Sequence, residues 1–292
     1  RGENIVGVYV APEKPGAKAD PLKEAALAAN LPVFQPDSYK KPEVWEQFKS
    51  LKPDLQVMAF VTLFVPEEFL NIPTHGSIQY HPSLLPAYRG ASAINWPIIK
   101  GEKETGLSIF WPDNGLDTGD VLIQKKTPIS DTDTLGTVYF DRLFPMGVEA
   151  MLESVDLVKA GKAPRIKQDE AKATYEGRCG ADNARIDWGK PWEQIDRLIR
   201  GCNPAPAAWT TLDGKLKLSD MTIEKTAARV DRIREVAGDR FADIELNWTI
   251  AVIVITDDRQ ATAEMALKAL DQGYPPNIER DTEFTVDDVL SS

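Results

Sequence analysis

His75-Gly76-Ser77-Ile78-Gln79-Tyr80-His81-Pro82-Ser83-Leu84-Leu85-Pro86-Ala87-Tyr88-Arg89-Gly90 reads as a strand, Ser77–Tyr80, that ends on a histidine and runs into a proline- and glycine-bounded loop. Upstream, apolar strands alternate with helical stretches. Strands are predicted over Ile5–Val10, Leu31–Phe34 and Asp54–Val61. Helices are predicted over Pro21–Ala29 and Pro42–Leu51, with a short one opening at Pro66–Leu70. That alternation predicts an α/β sheet. Proline at the start of the second helix suits its first turn. In an open α/β sheet, ligands bind beyond the carboxyl ends of the strands. His81 therefore stands where chemistry is expected.

Downstream, a helix is expected from Ala91 to about Lys100, strands over Thr105–Trp111 and Val121–Lys126, and one long helix over Thr134–Lys159. The Lys-, Pro- and Gly-containing stretch Ala160–Ala173 marks a domain boundary. A helix at Trp192–Arg200 and a hairpin over Ala208–Leu218, with Asp213-Gly214 at its turn, follow. Beyond Ser219 the pattern predicts a helix over Met221–Ala237, a long strand over Ile244–Thr256 and a helix over Asp258–Leu270. Three segments result: 1–160, 161–219 and 220–292.

Of 292 residues, 42% are hydrophobic and 27% charged, an ordinary globular balance. The net charge of −11 disfavours non-specific binding to nucleic acid or an anionic membrane. Two cysteines, Cys179 and Cys202, make neither a disulfide framework nor a zinc site and read as bystander thiols in a reducing compartment. No run approaches the ~18 apolar residues of a membrane span, and no signal peptide is seen. A cytoplasmic location with no membrane partner is expected. The chain opens at Arg1-Gly2-Glu3-Asn4 without an initiator Met, and reads as a piece of a longer gene product.

A second chemical segment is Trp111-Pro112-Asp113-Asn114-Gly115-Leu116-Asp117-Thr118-Gly119-Asp120. Two glycines make its backbone compliant and it carries three carboxylates. A carboxylate that reaches a histidine fixes its tautomer and favours the charged ring, which helps it stabilise a developing oxyanion. Against this, strand-end histidines are more often structural and acidic glycine loops are usually solvated turns. His75 is the competing histidine and reads as an ordinary loop residue.

His81-Pro-Ser-Leu-Leu-Pro, Arg89-Gly-Ala-Ser-Ala-Ile-Asn-Trp96, Gly106-Leu-Ser-Ile-Phe-Trp111 and Gly115-Leu-Asp-Thr-Gly-Asp120 together resemble the formyltransferase family. Ala173-Thr-Tyr-Glu-Gly177 and Ala184-Arg-Ile-Asp-Trp188 are most similar to the hydrolase domain of 10-formyltetrahydrofolate dehydrogenases. The resemblance runs from about Gly2 to about Ser219. It implies a Rossmann-like open sheet lacking its first strand and helix, whose loss is expected to weaken activity, followed by a small incomplete C-terminal α/β segment.

The resemblance also implies a site. His81 and Asp117 match the family's catalytic histidine and aspartate. Gln79 stands where the family has asparagine, which keeps an amide one methylene further out and favours hydrolysis over amine-directed transfer. The formyl donor would be 10-formyltetrahydrofolate, lying against Phe60, Val61 and Phe64 and against Asp113 and Gly115. Ser83, Leu84 and Arg89 would shape the mouth, although a loop-structuring role for Ser83 and Arg89 is an equal reading. The expected activity is formyl hydrolysis or transfer, with no metal. Methionyl-tRNA formyltransferase is the alternative, but a tRNA partner is not expected from a chain whose residues 221–292 carry 8 basic against 15 acidic groups. Residues 221–292 resemble the late part of luciferase-like monooxygenases. One strand and two helices cannot close an eight-stranded barrel, so no flavin is expected. An inactive folate-binding fragment and a flavin oxidoreductase fragment complete the alternatives.

Overall fold

The computed structural model describes residues 2–13, 16 and 20–211, with short strands at 215–217, 245–247 and 252–254. The described residues form two compact units. One comprises 1–93, 104–128 and 140–177; the other comprises 94–103, 129–139 and the described part of 178–292.

The first unit carries two sheets. β1 (Val8–Tyr9) pairs in parallel with β2 (Val33–Phe34). A four-stranded sheet has the order β3 (Gln56–Met58), β4 (Ser77–His81), β5 (Glu104–Phe110), β6 (Val121–Pro128). β3 and β4 are parallel, whereas β4–β5 and β5–β6 are antiparallel. Every residue of β5 from Thr105 to Phe110 is buried, as a strand flanked on both edges and covered on both faces requires. β1 and β3 are shorter than the apolar runs Ile5–Val10 and Asp54–Val61, because ladder partners exist for only two and three of their residues.

α1 (Pro21–Ala28) is capped by Asp20, whose carboxylate accepts from the Leu22 and Lys23 amides at 2.8 and 3.3 Å. α2 (Pro42–Ser50) and α3 (Glu67–Leu70) deliver Val44, Phe48, Phe69 and Leu70 into one apolar cluster with Met58 of β3. Within it the Phe48 and Phe69 rings stack at 4.4 Å. The long helix expected over Thr134–Lys159 is present from Leu135 to Lys159 but changes its winding: α5 is Leu135–Thr137, a π segment spans Val138–Leu143, and α6 is Phe144–Lys159. Pro145, which has no N–H to offer the carbonyl one turn back, sits where the winding returns from π to α. Gly147, Ala150, Ser154 and Val158 form the buried stripe of α6 at helical spacing. Gly147 lies under Tyr80 of β4, so close that a Cβ there would fall 2.7 Å from the ring.

In the second unit, α4 (Asn95–Lys100) packs against α7 (Trp192–Gly201). The Asn95 amide donates to the Gly201 and Ala205 carbonyls at 2.8 and 3.1 Å. Ile195, Ile199, Ala184, Ile186 and both cysteines fill its core, with the two Sγ atoms 3.9 Å apart. β7 (Trp209–Thr211) and β8 (Lys215–Lys217) form the antiparallel hairpin; its turn residues lie outside the described set. The single strand expected over Ile244–Thr256 is instead two, β9 (Glu245–Asn247) and β10 (Val252–Val254), paired antiparallel with Val252 opposite Asn247. The helices expected over Met221–Ala237 and Asp258–Leu270 fall outside the described residues. Among the described residues no helix is long and apolar enough to cross a membrane.

Candidate functional site

The loop after β4 is held from beneath. Ser108 of β5 stands opposite His81 in the ladder. Its hydroxyl donates to the Ser83 carbonyl at 2.7 Å and accepts from the Leu85 amide at 3.1 Å and the Gln124 side chain at 3.0 Å. That fills the donor and both acceptor positions of one hydroxyl. Ser83 is fully buried and its hydroxyl donates to the Ala87 carbonyl at 2.6 Å. The loop then turns at Tyr88, which adopts φ 58°. This places the Tyr88 carbonyl 2.9 Å from His81 Nε2. A carbonyl only accepts, so Nε2 carries the hydrogen.

The Asp113–Asp120 turn is built around its own side chains. Asp113 Oδ1 accepts from the Gly115 amide at 3.0 Å and the Thr118 hydroxyl at 2.6 Å. Gly119 is required by close approach: a Cβ there would fall 1.7 Å from the Trp111 carbonyl oxygen. Asp117 takes φ 56°, a conformation aspartate tolerates better than most residues. Asp117 Oδ2 then accepts from the Gly90 amide at 2.8 Å and lies 3.5 Å from His81 Nδ1. His81 is 5% and Asp117 7% exposed.

The 3.5 Å separation is within ion-pair reach but longer than a formed hydrogen bond. Nε2 is already engaged by Tyr88, so the Nδ1 side is the one with a contact still open. An imidazole held this way can present an N–H to a substrate oxygen while the carboxylate balances its charge. Gln79 lies two residues before His81 on β4 and so points to the same face of the sheet. It is half-buried. Among the described residues no group of three or more His, Cys, Asp or Glu is arranged to hold a metal.

The remaining sequence candidates divide. Phe60 and Phe64 are 63% and 60% exposed, and Val61 is also exposed, so this loop offers apolar surface. Phe60 shares the left-handed backbone of Tyr88 and Asp117, at φ 53°. Leu84 packs beside Gly106 of β5. Ser83 and Arg89 are turned inward and structure the loop; Arg89 is buried against Gln168 and Glu170. Asp113 and Gly115 shape their own turn. A cavity of ≈ 430 Å³ opens elsewhere, at the start of β4, lined by His75, Thr74, Trp111 and Arg165 among others. Sequence reasoning missed Tyr88, Gly90, Gln168 and Thr174. Their contributions are largely backbone atoms and loop-to-loop bonds, which leave little pattern in a sequence. The one signal was Ala173-Thr174-Tyr175, noticed for its resemblance and not for its position.

The sequence model of the formyl transferase family matches residues 2–155, more than half of the chain. This protein belongs to the formyl transferase family. The C-terminal domain model of that family matches residues 179–256 and overlaps the first part of the segment likened to luciferase-like monooxygenases. A cytosolic 10-formyltetrahydrofolate dehydrogenase of Xenopus laevis is 46% identical over 217 residues, covering 73% of this chain and 24% of that protein. The chain thus spans about a quarter of the length of such relatives. A methionyl-tRNA formyltransferase of Geotalea uraniireducens (strain Rf4) is 41% identical over 221 residues, covering 74% of this chain and 70% of that one. A sugar N-formyltransferase structure from Shewanella sp FDAARGOS_354 superposes with a TM-score of 0.58 at 20% identity, over 72% of this chain and 82% of that one. It supports the Rossmann-like α/β fold of this formyl transferase.

Proposed function

We propose that this formyl transferase chain removes the formyl group from 10-formyltetrahydrofolate, with water as the acceptor. The buried His81–Asp117 pair at the carboxyl end of β4 carries the reading. Water attacks the formyl carbon and the formyl oxygen takes up negative charge. A protonated Nδ1 of His81 donates to that oxygen, while Asp117 stabilises the charged ring. Collapse breaks the bond to N10, which leaves as tetrahydrofolate with one proton of the attacking water, and formate is released as the other passes to solvent. Gln79, on the same face, donates a further hydrogen bond. The exposed Phe60, Val61 and Phe64 offer apolar surface to the pterin. The reading involves no metal or flavin, and a cytosolic location is supported by the compartment for which the Xenopus relative is named.

A second reading, transfer to the amine of methionyl-tRNA, is favoured by the C-terminal domain match and by the Geotalea relative. The net charge of −11 and the glutamine at position 79 count against it. Incubation with 10-formyltetrahydrofolate in amine-free buffer, followed by tetrahydrofolate absorbance and formate assay, separates the two. Turnover in water alone supports hydrolysis. Turnover only after addition of methionyl-tRNA supports transfer. No turnover in either arm overturns both.

A further inference from the structure

We propose that Gln168 is a positioning residue that locks the His81 loop to the Asp117 turn. The inference rests on the reading of His81 and Asp117 as the reacting pair. Gln168 Nε2 donates to the Asp117 carbonyl at 2.8 Å and the Gly119 carbonyl at 2.7 Å. Its Oε1 accepts from Arg89 Nε at 3.2 Å and Arg89 Nη2 at 2.8 Å. All four hydrogen-bonding positions of one amide are therefore used. On one side the amide holds the backbone of Asp117 itself. On the other it holds Arg89, which lies between Tyr88 and Gly90. The Tyr88 carbonyl meets His81 Nε2, and the Gly90 amide meets Asp117 Oδ2.

The segment bearing Gln168 is tied down at both ends. Ile166 exchanges backbone bonds with Val121 at 2.8 and 2.9 Å. Thr174 accepts from the Tyr88 amide through its hydroxyl at 2.8 Å, accepts from the Arg89 amide through its carbonyl at 3.0 Å, and donates its own amide to Pro86 at 3.1 Å. A left-handed Asp117 and a left-handed Tyr88 persist only where their surroundings over-determine them. Gln168 and Thr174 supply that constraint. Only an amide suits position 168, because its two faces demand opposite roles: a donor toward two carbonyls and an acceptor toward a guanidinium.

Gln168→Glu tests this without changing side-chain size. It keeps the Arg89 grip and sets a carboxylate oxygen against the Asp117 and Gly119 carbonyls. Deformylation kcat is expected to fall about 10–100-fold with KM nearly unchanged, and thermal stability to drop modestly because two carbonyls lose their donor. Amide hydrogen exchange at Gly90 is expected to accelerate about tenfold or more, with Ile78, Leu107 and Ile109 unaffected. Gln168→Ala should show both effects. Unchanged kcat, a change confined to KM, or unaltered Gly90 exchange would overturn the positioning role. His81→Ala run in parallel reports on the site itself. If the unsubstituted chain and His81→Ala are equally inactive, the catalytic reading fails, and Gly90 exchange alone decides whether Gln168 is the clamp.

Discussion

His75 and His81, the two histidines of the chain, stand just before and at the end of the same strand, β4, in opposite surroundings. His81 is buried, with a backbone carbonyl on one ring nitrogen and a carboxylate facing the other. His75 is exposed on the rim of the ≈ 430 Å³ cavity, and its backbone amide donates to the Asp54 carbonyl at 2.7 Å. Beside it the Arg165 guanidinium covers the Trp111 ring at 4.0 Å, so the cation at that cavity already has a partner. What distinguishes the His81 end is constraint: left-handed backbone at Tyr88 and Asp117, and loops tied by Ser108, Thr174 and Gln168.

The largest test of that contrast is His81→Asn, which should lower deformylation kcat by about 10²–10⁴. A rate within tenfold of the parent would place the chemistry elsewhere. Asp117→Asn comes next. Asparagine tolerates the same φ and can still accept from the Gly90 amide, so only the charge facing Nδ1 is lost. A fall of about 10–10² with intact thermal stability is expected, and full activity would remove Asp117 from the mechanism. A smaller effect lies at the Arg89 clamp. The Arg89 guanidinium holds the Glu170 carboxyl below the usual carboxylate range. Its stabilisation is therefore present above the ordinary Glu value and is lost as pH falls through the lowered one. Glu170→Gln should flatten that acidic limb of a stability profile slightly; an identical limb would show that the exposed pair contributes nothing. His75→Ala should do least, leaving kcat within about twofold and stability within about 0.5 kcal/mol. Loss of activity there would transfer the argument to the cavity.

Legibility followed the range of the forces involved. The ends of β4 and β5 could be read because apolar runs and turn residues are local signals, and the pairing of His81 with Asp117 came through a family resemblance. The π winding at Val138–Leu143 could not be read, because apolar spacing over Thr134–Lys159 is compatible with an α-helix throughout. Ile244–Thr256 shows the same weakness: an apolar run reports burial and not direction, so β9 and β10 looked like one strand. Arg89 carries two equal readings in the sequence, a place at the mouth and a loop-structuring role. In the fold it faces Gln168 and Glu170, partners about eighty positions away that no local pattern reveals.

Gly147 couples α6 to the reacting end of the sheet. Its bare backbone lets the helix nest beneath Tyr80, the residue immediately before His81. A methyl group at 147 would act as a wedge against the Tyr80 ring, so that the ring, the helix or β4 would have to give way. A strand that tilts at Tyr80 carries the imidazole with it. The spacing between a helix and a sheet thus bears on the aim of His81 from a position on another element.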